Sequence, residues 1–142
     1  MRTKTLIIVT LLALIASTAH GATIHVDAAN CPGPGSGSVR DPYCSIQTAI
    51  DNAVDTDEIV VAPGTYFETI NFIGKAVWLH SAGGPEVTAI SANGPQGDDS
   101  AVTCASGEQA DTILEGFTLT DGTGTLWDGG LRLDPNPDPR RG

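Results

Sequence analysis

From Glu58 to Thr120 the apolar residues fall in short runs, and nearly every run ends at a corner containing Gly or Pro. The runs are EIVV (58–61), ETINF (68–72), AVWLHS (76–81), VTAIS (87–91), SAVTC (100–104) and ILEGFTLT (113–120). Their Val, Ile, Thr and aromatic content is that of strands. The corners between them are PGT, IGK, AGGP, ANGPQGDD and ASGEQAD, with DGTGT following the last. Hardly any of these resembles a two-residue hairpin turn, although Gly83-Gly84 and Asn93-Gly94 supply suitable dipeptides. A sandwich wants strands of matched length joined by hairpins. Here the strands are very short and each corner only changes direction. The expected fold class is therefore all-β with many turns. The stretch EIVVAPGTYFETINF shows the problem in small: the turn Ala62-Pro63-Gly64-Thr65 between two predicted strands is too long for the tightest hairpin.

Ahead of this series, TIHVD (23–27) alternates and reads as one strand. Further on, Ser45 is placed to cap a helix, SIQTAIDNAV. Ile46, Ile50 and Val54 recur in it at four-residue steps beside Ala49 and Ala53, with Gln47, Thr48, Asp51 and Asn52 on the other face. So short a helix is marginal alone, and its apolar stripe must cover something.

The first 21 residues read as a signal peptide. Arg2 and Lys4 form a basic start, Leu6–Ala16 is an apolar core, and Ala19-His20-Gly21 offers small residues for cleavage after Gly21. A membrane span needs about 20 apolar residues, and this run is too short. The mature chain, Ala22–Gly142, is expected to be secreted, extracellular or periplasmic, with no membrane span. It keeps all 17 acidic residues but loses two of the seven basic ones, giving a formal charge of −12. That argues against nucleic acid as a partner and makes a polyanionic substrate harder to hold. One domain fits in this length.

Export makes cysteines presumptive bridges. Cys31 and Cys44 bracket PGPGSGSVRDPY, which has no apolar periodicity, and a bridge closing that loop would stabilise the fold by about 3 kcal/mol. Zinc is the competing reading, but the chain has no CxxC pair. Cys104 lies in the β-like run SAVTC and reads as a buried structural thiol rather than a nucleophile, for which His80 would have to be the base.

A loose internal repeat links IVVAPG, VWLHSAGG and FTLTDGTG, aligning Val61, Leu79 and Leu119. Together with xHVD, the Cys–Cys loop, SIQTAIDNA, DEIVVAPGTYFETI and ILEGFTLTDG, the region 23–125 resembles the start of right-handed parallel β-helix proteins of the pectin-lyase-like superfamily. The resemblance implies a solenoid in which each coil is three short strands joined by corners. It implies an N-terminal cap over 22–57, with the helix covering the open end of the core, first coils over 58–125, and an irregular Pro-rich tail over 126–142. With barely two and a half coils and no visible C-terminal cap, the chain reads as truncated.

The resemblance is specific for fold and weak for activity. Esterases of that superfamily use paired aspartates with a Gln and an Arg, and this sequence has no Arg between 41 and 131. Asp98 and Asp99 are candidate calcium ligands, although adjacent carboxylates in a polar loop are more often simply solvated. Asp121 is first a turn residue. Tyr66 and Trp127 are candidates to stack on sugar rings, with core or edge packing as the default for the aromatics. No catalytic residue, metal site or cofactor is assigned. The expected function is a non-catalytic, carbohydrate-binding or adhesive role on polysaccharide. The alternative is the N-terminal part of a polysaccharide lyase, pectin esterase or glycoside hydrolase whose catalytic coils are missing, and a third reading is a free-standing binding domain. An uncapped end carrying Leu114, Phe117 and Leu119 would favour self-association.

Overall fold

A computed structural model describes residues 21–93 and 100–123. Residues 1–20, Asp98, Asp99, Trp127 and the Pro-rich tail lie outside them. The strands are β1 (Thr23–Val26), β2 (Glu58–Val61), β3 (Gly64–Phe67), β4 (Ile70–Asn71), β5 (Trp78–Ser81), β6 (Thr88–Ser91), β7 (Val102–Thr103), β8 (Ile113–Glu115) and β9 (Thr118–Thr120). A 3-10 turn, Ala28–Asn30, and one helix, α1 (Ile46–Asn52), lie between β1 and β2. The sheets run β1-β2-β5-β8, β3-β6-β9 and β4-β7. Every strand pairing is parallel. Each corner therefore carries the chain to another sheet, and it returns to the first sheet at β5 and again at β8. The expected all-β class holds, with parallel sheets and little helix.

The corners are tighter than the sequence suggested. Only Ala62 and Pro63 separate β2 from β3, because Gly64 already donates its N–H to Val87 O at 2.9 Å and opens the β3–β6 ladder. Pro63 has no N–H to place in a ladder and sits where none is needed. The run ILEGFTLT is two strands rather than one. Gly116, at φ 78°, turns the chain between β8 and β9, a backbone state that residues with a Cβ adopt at a cost.

The aligned repeat also needs correction. Val61 pairs with Ser81, Leu79 pairs with Ile59 and Leu114, and Leu119 pairs with Ile90 in a different sheet. The first two segments are neighbours shifted by two residues, and the third belongs elsewhere.

Strand alternation sends one set of side chains inward. Ile59, Val61, Leu79 and Ile90 are fully buried, and Tyr66, Ile70, Phe72 and Val77 complete the core with Ile46, Ala49 and Ile50 of α1. A seven-residue helix would not persist alone, so its ends are held from outside. The Ser45 hydroxyl accepts from Thr48 N–H at 3.3 Å. Glu68 accepts from Ile46 N–H at 2.8 Å, from Gln47 N–H at 2.9 Å and from the Ser45 hydroxyl at 2.8 Å. Lys75 donates to the Ile50 and Asp51 carbonyls at 2.7 and 2.8 Å, filling acceptors at the other end. Gln47, expected on the solvent face, exchanges two bonds with the Asn71 backbone and docks the helix on β4. Val54, expected on the apolar stripe, is 66 % exposed, because the helix stops at Asn52 and Ala53 is already extended.

The bridge joins Cys31 to Cys44 with Cα atoms 5.0 Å apart. Its loop lies along β1: His25 N–H donates to Gly37 O, Tyr43 N–H to His25 O and Asp27 N–H to Tyr43 O, at 2.8 to 2.9 Å. The outer edge of the first sheet is thereby covered. At the other side Leu114 and Phe117 pack partly against the core, and Leu119 is 49 % exposed.

Candidate functional site

The alternation that buries Ile59 and Leu79 turns their neighbours outward. Register then aligns two outward rows across the first sheet: Thr23, Glu58, Trp78 and Ile113 in one, and His25, Val60, His80 and Glu115 in the other. Diagonal neighbours on such a face are within reach of long side chains. His80 Nε2 lies 2.8 Å from Glu58 Oε1, and the Thr23 hydroxyl donates to Glu58 Oε2 at 3.0 Å. Trp78 Nε1–H donates to Glu115 Oε2 at 3.3 Å. The Trp78 and His80 rings stack with centroids 4.4 Å apart and planes inclined by 28°.

Four strands thus contribute to one surface patch: an indole ring supported by an imidazole and bordered by two carboxylates. Trp78 is 42 % exposed, so part of its apolar surface faces solvent on a central strand. The His80 hydrogen bond holds the Glu58 carboxyl below the usual glutamate range; burial opposes it, and the Thr23 hydroxyl and the charges of His80 and His25 add to the lowering. Glu58 is therefore a carboxylate at neutral pH. An exposed ring with acceptors at its border can receive a flat, C–H-rich molecule that also carries hydroxyl donors.

The residues singled out from the sequence are distributed differently. Tyr66 is 3 % exposed, and its hydroxyl donates to Ala62 O at 2.9 Å and accepts from Ala28 N–H at 3.3 Å. Burial pushes its hydroxyl up to about 12, so it is a core anchor beneath the β2–β3 corner and presents no ring face. Trp127, Asp98 and Asp99 fall outside the described residues. Asp121 accepts from the Ser91 hydroxyl at 2.6 Å and the Thr120 hydroxyl at 2.9 Å, bonds that lower its carboxyl and fasten the end of β9 to β6. Cys104 is exposed rather than buried, because it follows the two-residue β7 and lies beyond the ladder. Partial cover of its sulfur, and then the Glu108 carboxylate, raise its thiol. His80, the base considered for it, is held by Glu58 instead. Among the described residues no group of three or more His, Cys, Asp or Glu side chains is arranged to hold a metal, and no helix is long and apolar enough to cross a membrane.

The Trp78–His80–Glu58 constellation was missed from sequence because Glu58 lies 20 positions from Trp78 and 22 from His80. EIVV and VWLHS each show the outward pair, but only a parallel register places Glu58 opposite Trp78. Compared with known proteins, the chain matches no family model, no curated protein and no solved structure.

Proposed function

We propose that this chain is an exported β-helix-repeat protein, similar in plan to the pectin-lyase-like superfamily, that binds polysaccharide without turning it over. The order in which the chain visits its three parallel sheets supports the solenoid reading, as does the SIQTAIDNA…PGTY sequence. The Cys31–Cys44 bridge supports passage through an oxidising compartment. The single observation that carries the binding role is Trp78, an exposed ring on a parallel sheet, stacked on His80 and hydrogen-bonded to Glu115. An indole face offers apolar contact to the C–H face of a pyranose, and the bordering carboxylates accept its hydroxyl protons. Two carboxylates beside the ring, on an exported chain of formal charge −12, favour a neutral glycan over a uronate polymer.

The test is a titration of the exported protein with cellohexaose, xylohexaose and oligogalacturonate, followed by calorimetry and by indole fluorescence in a Trp127→Phe background. The expected result is binding of a neutral oligosaccharide, weakened at least tenfold by Trp78→Ala, which corresponds to about 1.4 kcal/mol. Binding that survives Trp78→Ala unchanged, or no binding by any of the three, overturns the reading.

A further inference from the structure

Asp57 stands apart among the carboxylates of the described residues, being only 4 % exposed. Its Oδ2 accepts from Val54 N–H at 2.8 Å, and its own N–H donates to Val54 O at 3.1 Å, closing the turn between α1 and β2. Its Oδ1 accepts from the nitrogen of Ala22 at 2.7 Å. One residue on, Glu58 N–H donates to Ala22 O at 2.9 Å, so Ala22 is held against the start of β2 on both sides of its backbone. Ala22 is the residue that the predicted cleavage after Gly21 would leave first. The backbone ahead of it is crowded too: a Cβ on Gly21 would meet the Thr56 carbonyl, so only glycine fits there in the uncut chain.

We propose that Asp57 is the counter-ion of the mature amino terminus, and that removal of the leader between Gly21 and Ala22 creates the ion pair that fastens β1 to β2. The inference rests on the export reading given above. The covalent step is hydrolysis by a leader peptidase. Water adds across the Gly21–Ala22 amide, Gly21 departs as a carboxylate, and the Ala22 nitrogen becomes a primary amine. The amine takes up a proton at neutral pH, since α-amino groups titrate near 8. A neutral amide N–H facing a buried carboxylate is thus replaced by an ammonium at the same position. Both bonds are charge-assisted on the carboxylate side, and the ammonium adds a direct attraction between opposite charges while the exposed Ala22 keeps part of its hydration. Before processing Asp57 closes a turn and accepts only a neutral amide N–H from Ala22. After processing it also anchors the first strand of the sheet that carries Trp78.

Two measurements test this. Amino-terminal sequencing of the exported protein should begin at Ala22. A start elsewhere overturns both the cleavage reading and this proposal, whereas the glycan titration is decided separately. Urea unfolding is then compared for the chain starting at Ala22 and the chain starting at Gly21, each with and without Asp57→Asn. In the Gly21 form the Ala22 nitrogen is an amide again, and the charge moves away by one residue, at most about 3.6 Å. The expected result is an unfolding constant about tenfold larger for the Gly21 form, and no such difference once Asp57→Asn is present. Equal constants for the two Asp57 chains overturn the proposal. Should Asp57→Asn fail to fold, the acylation rate of the Ala22 amine replaces it. A rate at least tenfold slower in the folded than in the urea-unfolded protein supports the pair, and equal rates overturn it.

Discussion

Ile90 and Leu119 are register partners one strand apart in the same sheet, point the same way, and have side chains of similar size. Ile90 is fully buried and Leu119 is 49 % exposed. The same contrast separates the two sides of the first sheet. At β1 and β2, Ile59 and Val61 are fully buried beneath Ile46 and Ile50 of α1, and the bridged loop bonds along the edge of β1. At β8, the inward Leu114 is only partly covered. In an ordinary sandwich an inward residue is buried by the facing sheet. In stacked parallel sheets it is buried largely by the layers on either side, so position along the stack decides how much each apolar side chain contributes. The helix and the bridged loop supply, on the β1 side, what a further layer would supply.

That contrast can be broken experimentally, beginning where the effect is largest. Ile50→Ala should lower unfolding free energy by about 4 kcal/mol, against about 1 kcal/mol or less for Leu119→Ala, because only the first opens a cavity in a sealed site. Equal losses in urea melts would mean that Leu119 is as well covered as Ile50. Replacing both Cys31 and Cys44 by Ser should cost about 3 kcal/mol through the freed loop, and hydrogen exchange should accelerate first at Asp27 and Tyr43, whose amides hold the loop to β1. Uniform acceleration across all sheets would show that the loop is not a local cover. Glu68→Ala leaves the Ile46 and Gln47 N–H groups without their acceptor, for a loss of about 2 kcal/mol, and should fray α1 in amide exchange while leaving β8 and β9 unaffected.

The smallest expected effect is that of Glu58. Its folded-state pKa is depressed, chiefly by His80, so its contribution to stability is present above the unfolded glutamate value and is lost as pH falls through the folded one. With its side chain one-third exposed the contribution is screened, on the order of 0.5 kcal/mol. Glu58→Gln should lower Tm slightly at pH 6 and not at all once the solution is acid enough to protonate Glu58 in the folded protein. A difference that persists in acid would assign the effect to packing rather than charge.

What the sequence made legible follows from range. Strand positions and the Ser45 cap are local, and β2, β5, β6 and α1 lie where alternation and four-residue steps placed them. The Cys31–Cys44 pair was readable because nothing else in its loop could order it. β3 was hidden because Thr65, Tyr66 and Phe67 follow Pro63-Gly64 so closely that they look like part of the corner. Gly116 was hidden for the opposite reason, since strand-forming residues flank it on both sides and only its left-handed φ reveals the bend. The exposed face was the least legible. His80 meets Glu58 because β2 and β5 run in parallel with Glu58 opposite Trp78, and no local property of either strand states that offset.

Ile59 and Leu79 are 20 positions apart, and Leu79 and Leu114 are 35 apart, yet both pairs stand in unbroken register. The scaffold therefore counts strands and is indifferent to the length of chain between them. Extra residues are taken up at corners such as the one between β7 and β8, where doubling a loop costs only about 0.6 kcal/mol. A peptide of foreign sequence spliced there should neither shift the Glu58–Trp78 offset nor disturb the ring it exposes. Such a chain can acquire new surfaces by insertion while its interior stays the same, which makes it a ready carrier for displayed segments.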